Sequence, residues 1–231
     1  MLKISYRRYR FHPDIIRQAV WLYFRFTMSY RDVEDLLAER GIDVSYETVH
    51  LWVLKFGQAY ARWIRNRRPT VFDHWHLDEV FVSIGGKQMY LWRAVDGEGE
   101  VLDVLVQRRR NKRAALKLMR KLLRNQGIRP TRIVTDKLKS YGAAFKDLRL
   151  GHLHKTGYRL NNRVESSHVP IRRRERKMQR FKSQASAQRF LSTHGPIYNL
   201  FNFQRHLISR PTLRTFRNQA MVEWNIVTAA V

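Results

Sequence analysis

Cysteine is absent from the sequence, which excludes disulfides, thiolate-bound zinc, iron–sulfur clusters and thiol nucleophiles. No apolar run approaches the roughly 18 residues a transmembrane helix needs. The opening Met-Leu-Lys-Ile-Ser-Tyr-Arg-Arg lacks the apolar stretch of a secretion signal, so a cytoplasmic location and no membrane partner are expected. Also missing are Gly-x-x-x-x-Gly-Lys, Gly-x-Ser-x-Gly and His-Glu-x-x-His, which argues against a nucleotide-driven motor, a serine-elbow hydrolase and a zinc protease. Internal repeats are absent too. Acidic side chains are scarce in one half of the chain: beyond residue 103 there are only Asp136, Asp147, Glu165, Glu175 and Glu223 against 30 lysines and arginines, whereas residues 1–103 hold 15 basic and 14 acidic groups.

What is present is positive charge and a core. The net charge of +26 suits a polyanionic partner, with nucleic acid first. With 231 residues, 44% of them hydrophobic and 12% aromatic, the chain has enough apolar surface to fold as one large domain with a smaller appendage.

Residues 14–25 form an apolar segment of helical length after Pro13. Ser29 followed by Asp32 is a capping pattern that opens a short helix ending at Gly41, and Ser45 caps another in which Val49, Trp52, Val53 and Phe56 share one face. Two short helices joined by Gly41-Ile-Asp-Val-Ser45 have the proportions of a helix-turn-helix, offering Tyr46, Glu47 and His50 to a DNA groove. A basic linker bearing Pro69 sets a boundary near residue 70. The expected division is a DNA-binding region at 11–68, a catalytic domain at 71–210 and a C-terminal tail at 211–231.

The period then changes to two. Runs at 75–83, 88–95 and 101–107 are separated by Ile84-Gly-Gly-Lys87 and Asp96-Gly-Glu-Gly99, which is hairpin chemistry and predicts an antiparallel meander. A helix over 111–126 and a short buried strand at Ile133–Thr135 follow, and 161–208 is mostly helical in pattern. Composition and periodicity alone support a mixed α/β fold. Trp75, Trp92 and Tyr141 fit a core better than a base-stacking platform.

Three carboxylates stand out. Asp78 lies in the first strand on the face of His76, Val80 and Val82, with Glu79 on the other. Asp136 follows the strand at 133–135, and Glu165 follows Asn161-Asn-Arg-Val. Each has a plainer reading: backbone-satisfied strand residue, turn, or capping box with Asn162. Together they form a set that one sheet edge can collect, able to hold two divalent ions about 4 Å apart for phosphodiester chemistry. Hard oxygen ligands favour Mg2+ or Mn2+. The candidate phosphate and DNA contacts are Arg108, Arg109, Arg110, Lys112, Lys137, Lys139, Arg163, Arg172, Arg173, Arg174, Arg176, Lys177 and Lys182, with Tyr46 and His50 on the recognition helix.

The strings His76-Leu-Asp-Glu-Val80, Tyr90-Leu-Trp-Arg-Ala-Val-Asp96, Thr135-Asp-Lys-Leu-Lys-Ser-Tyr141, Asn161-Asn-Arg-Val-Glu-Ser-Ser-His168 and Arg172-Arg-Arg-Glu-Arg-Lys-Met-Gln-Arg-Phe-Lys-Ser183 resemble the core of bacterial insertion-sequence transposases of the DDE class, the cointegrate-forming group with short terminal inverted repeats. The likeness runs from about residue 10 to 225. It implies a ribonuclease H-like catalytic domain behind an N-terminal all-α helix-turn-helix region. It further implies Asp78, Asp136 and Glu165 as the metal-binding triad, and cleavage at element ends followed by transfer of the 3′-hydroxyl strand to target DNA. The implied partners are the terminal inverted repeats, target DNA and further copies of the chain in a dimer or larger assembly on the nucleoid. Two departures accompany it: 28 residues separate Asp136 from Glu165, fewer than the usual thirty-odd, and Pro170 falls inside the expected helix. Glu175, with 38 residues intervening, is the rival third acid; Glu165 is preferred for its Asn-Asn-Arg-Val-Glu setting. A DNA-binding regulator, or a decayed transposase that keeps only DNA affinity, is the alternative.

Overall fold

Alternation and two glycine turns build the centre of the protein. In the computed structural model, which describes residues 4–68, 71–157 and 161–229, the strands β1 (His74–Ile84), β2 (Lys87–Asp96) and β3 (Val101–Gln107) form the antiparallel meander. Gly85 and Gly86 both adopt positive φ, as the tight β1–β2 turn requires, and a Cβ on Gly85 would stand 3.1 Å from the carbonyl of Lys182. Helix α4 (Lys112–Gln126) is capped by the Asn111 side chain and ends at Gly127 in the left-handed conformation. It crosses back to β4 (Arg132–Thr135), which pairs parallel to β1; α5 (Lys139–Asp147) then leads through the short 3-10 turn Gly151–Leu153 to β5 (His154–Thr156), parallel to β4. The order β3-β2-β1-β4-β5 is a ribonuclease H-like sheet.

Helices cover both faces. Trp75, Leu77, Trp92 and Ile133 pack with Leu118 and Met119 of α4 and with Tyr141 and Phe145 of α5 in one buried cluster, so the three aromatics named from sequence are core. The opposite face meets α6 (Asn162–Lys177). Helix α7 (Gln184–Phe201) begins with two glutamines that satisfy the edge strand: Gln188 accepts from the Val106 amide at 2.8 Å and donates to the Val104 carbonyl at 3.1 Å, and Gln184 donates to the Val106 carbonyl at 2.9 Å. Pro170 does lie inside α6. Its missing N–H deprives only the carbonyl of Ser166, an exposed residue whose carbonyl water can solvate, so the helix continues.

A second unit is all helical. It contains α1 (Pro13–Arg25), α2 (Tyr30–Ala38) with a Ser29/Asp32 capping box, and α3 (Tyr46–Arg67) capped by Ser45. It also contains residues from 193 onward, whereas residues 69–192 make up the sheet unit. This differs from the division expected from sequence at 210/211, and the segment written off as a tail is helix α8 (Arg210–Thr228). Trp224 is buried and meets Tyr60 edge-on at 5.3 Å, the Tyr6 hydroxyl donates to the Thr228 carbonyl at 2.6 Å, and Arg67 pairs with Glu223 at 2.6 Å. Leu213, Ala220, Trp224 and Val227 recur at helical spacing, and their burial is what draws α8 onto α3. The Pro69 linker, like residues 158–160 and 230–231, lies outside the described residues.

Candidate active site

The β1–β4 ladder runs from His74↔Arg132 to Leu77↔Thr135 and stops, and the next residue on each strand is an aspartate. Asp78 stays in β1, held on its other side by pairing with Arg93 of β2, while Asp136 turns away into α5, its Oδ1 accepting from the Leu138 amide at 3.0 Å. Carboxylate oxygens of Asp78, Glu79 and Asp136 all lie within 4.8 Å of one another. This brings together two of the three acids singled out from sequence and adds one that was set aside. Glu79 was placed on the face opposite Asp78, and strand alternation does send it towards α4 and α5. Because β4 has already ended there, Asp78 and Glu79 lean around the open edge of β1 from opposite faces towards Asp136.

Glu79 is the electrostatic oddity of the site. Its side chain has no exposed surface, and burial, with Asp136 adding to it, pushes its carboxyl up to about 7 against the opposing pull of Arg110. The Arg110 Nε donates to Glu79 Oε1 at 2.6 Å, and its Nη2 reaches Asp136 Oδ2 at 3.4 Å. Burial, then the neighbouring Glu79, raises the Tyr141 phenol well above its ordinary value.

Helix α6 supplies the other wall. The Asn161 side chain, buried before its first turn, donates to the carbonyl of Leu77 at 3.0 Å instead of capping the helix. Two turns on, His168 Nε2 lies 3.0 Å from Asp78 Oδ2; a carboxylate only accepts, so that nitrogen carries the proton. Burial lowers the His168 pKa despite Asp78 pulling it up. Glu165 is not a member of the Asp78–Glu79–Asp136 trio. It stands exposed in the first turn of α6, one turn from both Asn161 and His168. The capping box with Asn162 does not form. Glu175 is buried far from the trio: it accepts from the Ser83 amide at 3.4 Å and pairs with Arg172 at 2.9 Å. Ser83 is five residues along β1 from Asp78, about 17 Å of strand.

The oxygen-only donor set at the β1–β4 edge fits a hard divalent cation. The cations singled out from the sequence differ in setting. Arg108, Arg109, Lys137, Lys139, Arg163, Arg173, Arg176, Lys177 and Lys182 are exposed. Lys112 is paired with Asp147 at 2.8 Å, Arg110 is committed to acids, and Arg174 is buried, its guanidinium 5.3 Å from the ring of Phe190. The run 172–177 is therefore not one solvated basic face: helical period turns Arg174 inward while Arg172 and Arg176, with Gln179 and Arg180, line a groove of about 840 Å³.

In the helical unit, Tyr46 is covered by Arg31 at 4.8 Å and His50 packs on Tyr30 at 4.8 Å. The open side of α3 instead shows Thr48, Leu51 and Lys55. With Arg8, Tyr9, Arg10 and Phe11 these line a groove of about 630 Å³. The segment 6–11 is strapped to α3 by ring contacts of Tyr6 and Tyr9 with Phe56 and of Phe11 with Trp52. Sequence reasoning missed Arg8 and Arg10 because it treated the chain ahead of residue 11 as lying outside the domain; Tyr6, Tyr9 and Phe11 interspersed with arginines were the available signal.

A family model described as a DDE domain matches residues 72–204. Over 208 residues the chain is 32% identical to the transposase for insertion sequence-like element IS431mec of Staphylococcus aureus strain Mu50, covering 87% of this chain and 91% of that one. It is 31% identical over the same length to the Staphylococcus aureus transposase for insertion sequence element IS257 in transposon Tn4003. Among solved structures, the HTLV-2 integrase catalytic core domain in complex with magnesium is similar at a TM-score of 0.44 and 15% identity, over 63% of this chain and 94% of that one. The chain belongs to the DDE transposases of bacterial insertion sequences, metal-dependent polynucleotidyl transferases that act on DNA.

Proposed function

We propose that Asp78, Asp136 and Glu165 hold a pair of Mg2+ or Mn2+ ions, and that the protein cuts the ends of its own element and joins the freed 3′-hydroxyl strand to target DNA. Bound there, such ions would activate the attacking water or hydroxyl and neutralise the leaving oxygen. The observation that carries this reading is the meeting of Asp78 and Asp136 at the point where the β1–β4 ladder ends. His168 fixes the rotamer of Asp78 and leaves its second oxygen for a ligand. Asn161 ties the start of α6 to β1 at Leu77, beside Asp78, and Glu165 follows one turn later, which supports its assignment as the third ligand. Lys137 and Lys139, exposed immediately beyond Asp136, and Arg108 and Arg109 grip the DNA backbone.

Recognition of the terminal inverted repeats falls to α3 and the strapped N-terminal segment, with Thr48, Leu51 and Lys55 facing bases and Arg8 and Arg10 the flanking phosphates; Tyr46 and His50 support them. Two ends must be held at once, so a homodimer or larger assembly on DNA, on the bacterial nucleoid, is the working form. The test is Mg2+- or Mn2+-dependent cleavage of a duplex carrying the element's end. Wild type is expected to cut, while Asp78→Asn and Asp136→Asn bind the duplex without cutting. A wild-type protein that binds the end and never cuts it would reduce the proposal to DNA binding alone.

A further inference from the structure

We infer that Arg110 is a built-in cation that holds the acidic pocket together in the absence of metal, and that it releases Asp136, but not Glu79, when a divalent ion is taken up. This rests on the reading of Asp78 and Asp136 as metal ligands. Three carboxylates with oxygens inside 4.8 Å repel one another when ionised in a half-buried site, and a cation lying against them offsets that repulsion. Among the described residues Arg110 is the side chain found paired with two of them.

Its two contacts are unequal. Glu79, a side chain without exposed surface, holds two nitrogens on one oxygen, Nε at 2.6 Å and Nη2 at 2.5 Å; Asp136, still 30% exposed, only shares that Nη2 at 3.4 Å. The contact to Asp136 is therefore the one that can be given up while both short contacts to Glu79 remain. The backbone cannot follow, because the next residue, Asn111, is fixed as the cap of α4 through its bond to the Ala114 amide at 3.1 Å. The motion is confined to the guanidinium. An incoming dication competes for Asp136 with one NH group of the arginine, while the buried Glu79 keeps its own partner and never becomes an uncompensated charge. Released from Asp136, that NH group stays at the rim of the pocket, where the scissile phosphate must lie.

An internal cation and a metal that share a carboxylate oppose each other's binding, and this sets the sign of the test. Mn2+ binding to the full-length chain without DNA is measured by the loss of free-ion EPR signal for wild type, Arg110→Met, Arg110→Lys and Asp78→Asn. Methionine keeps the stem and removes the charge. Arg110→Met is expected to bind Mn2+ about tenfold more tightly than wild type. Its melting temperature should fall below wild type in EDTA and recover in MnCl2. Arg110→Lys, whose single ammonium reaches one carboxylate at a time, should lie between them and gives the same readout if the methionine variant does not fold. Binding that is unchanged or weaker in both variants, with wild-type binding still abolished by Asp78→Asn, overturns the inference alone. If Asp78→Asn leaves Mn2+ binding intact, the metal-site reading falls and the inference falls with it.

Discussion

His168 reaches Asp78 at 3.0 Å from the turn of α6 that follows Glu165. One helix face thus carries both a residue that orients the first aspartate and the acid proposed to complete the triad. The rival acid, Glu175, is buried at the other end of the helix beside Ser83 and Arg172. The two glutamates should therefore fail in different ways. Glu165→Gln is expected to reduce end cleavage by at least about 100-fold with unchanged stability, since it is exposed and its loss removes a ligand rather than a packing contact. Glu175→Gln should cost about 1–3 kcal/mol in urea denaturation and retain cleavage when folded. Cleavage lost in Glu175→Gln and kept in Glu165→Gln would reverse the assignment.

Asn161 gives a second prediction. Its amide is buried on the Leu77 carbonyl, so Asn161→Ala leaves that acceptor unpaired and should destabilise the sheet unit by about 1–3 kcal/mol. Because the anchor lies one turn from Glu165, end cleavage should drop further than the fraction unfolded accounts for, while Mn2+ binding at Asp78 and Asp136 persists. Parallel loss of cleavage and folded fraction would make Asn161 purely structural.

Two titrating groups pull stability in opposite directions. The Glu79 carboxyl lies at about 7 in the fold against an ordinary value of 4.5, so its contribution is complete at low pH and is lost as pH rises through about 7. His168 is lowered from 6.5, so its contribution is present above that value and is lost as pH falls. The metal-free wild-type profile mixes both, and variants separate them. Relative to Glu79→Gln, wild type should lose on the order of 1–3 kcal/mol between pH 5 and 8. Relative to His168→Gln, it should lose stability on going below pH 6.5. Denaturant unfolding in EDTA at pH 5, 6.5 and 8 reads both, and a pH-independent difference in either pair would remove that group from the account.

The strapped N-terminal segment predicts a change in salt dependence. If Arg8 and Arg10 each meet a phosphate, the double substitution to alanine should lower the slope of log K against log salt for end DNA by about 2 and weaken all duplexes alike. Leu51→Ala should instead narrow the preference for end over unrelated sequence. Fluorescence anisotropy across a salt series distinguishes these outcomes, and an unchanged slope for Arg8→Ala/Arg10→Ala would detach the segment from DNA.

Local chemistry made the sheet legible. Period-two alternation, the Gly85-Gly86 turn and the Asn111 and Gly127 caps define β1 to β3 and α4 within a residue or two of their ends, and Asp136 stood out as an acid following a strand in a basic region. Long-range facts were not legible. Nothing near Glu79 announces that β4 stops two residues short of it, which is what lets it join Asp136. Nothing near Arg110 or Arg174 distinguishes them from the solvated arginines beside them, because their partners lie on other elements. Helix α8 lies in the stretch the sequence suggested as a tail, and its destination on α3 depends on Tyr60 and Tyr6, far away in the chain.

Anomalous diffraction from crystals of the full chain soaked in MnCl2 tests the central claim most directly. Manganese peaks bonded to Asp78 and Asp136, with Glu165 as a ligand at one of them, are predicted. Manganese bound only elsewhere, with the Asp78–Asp136 edge empty at saturating concentration, would contradict it.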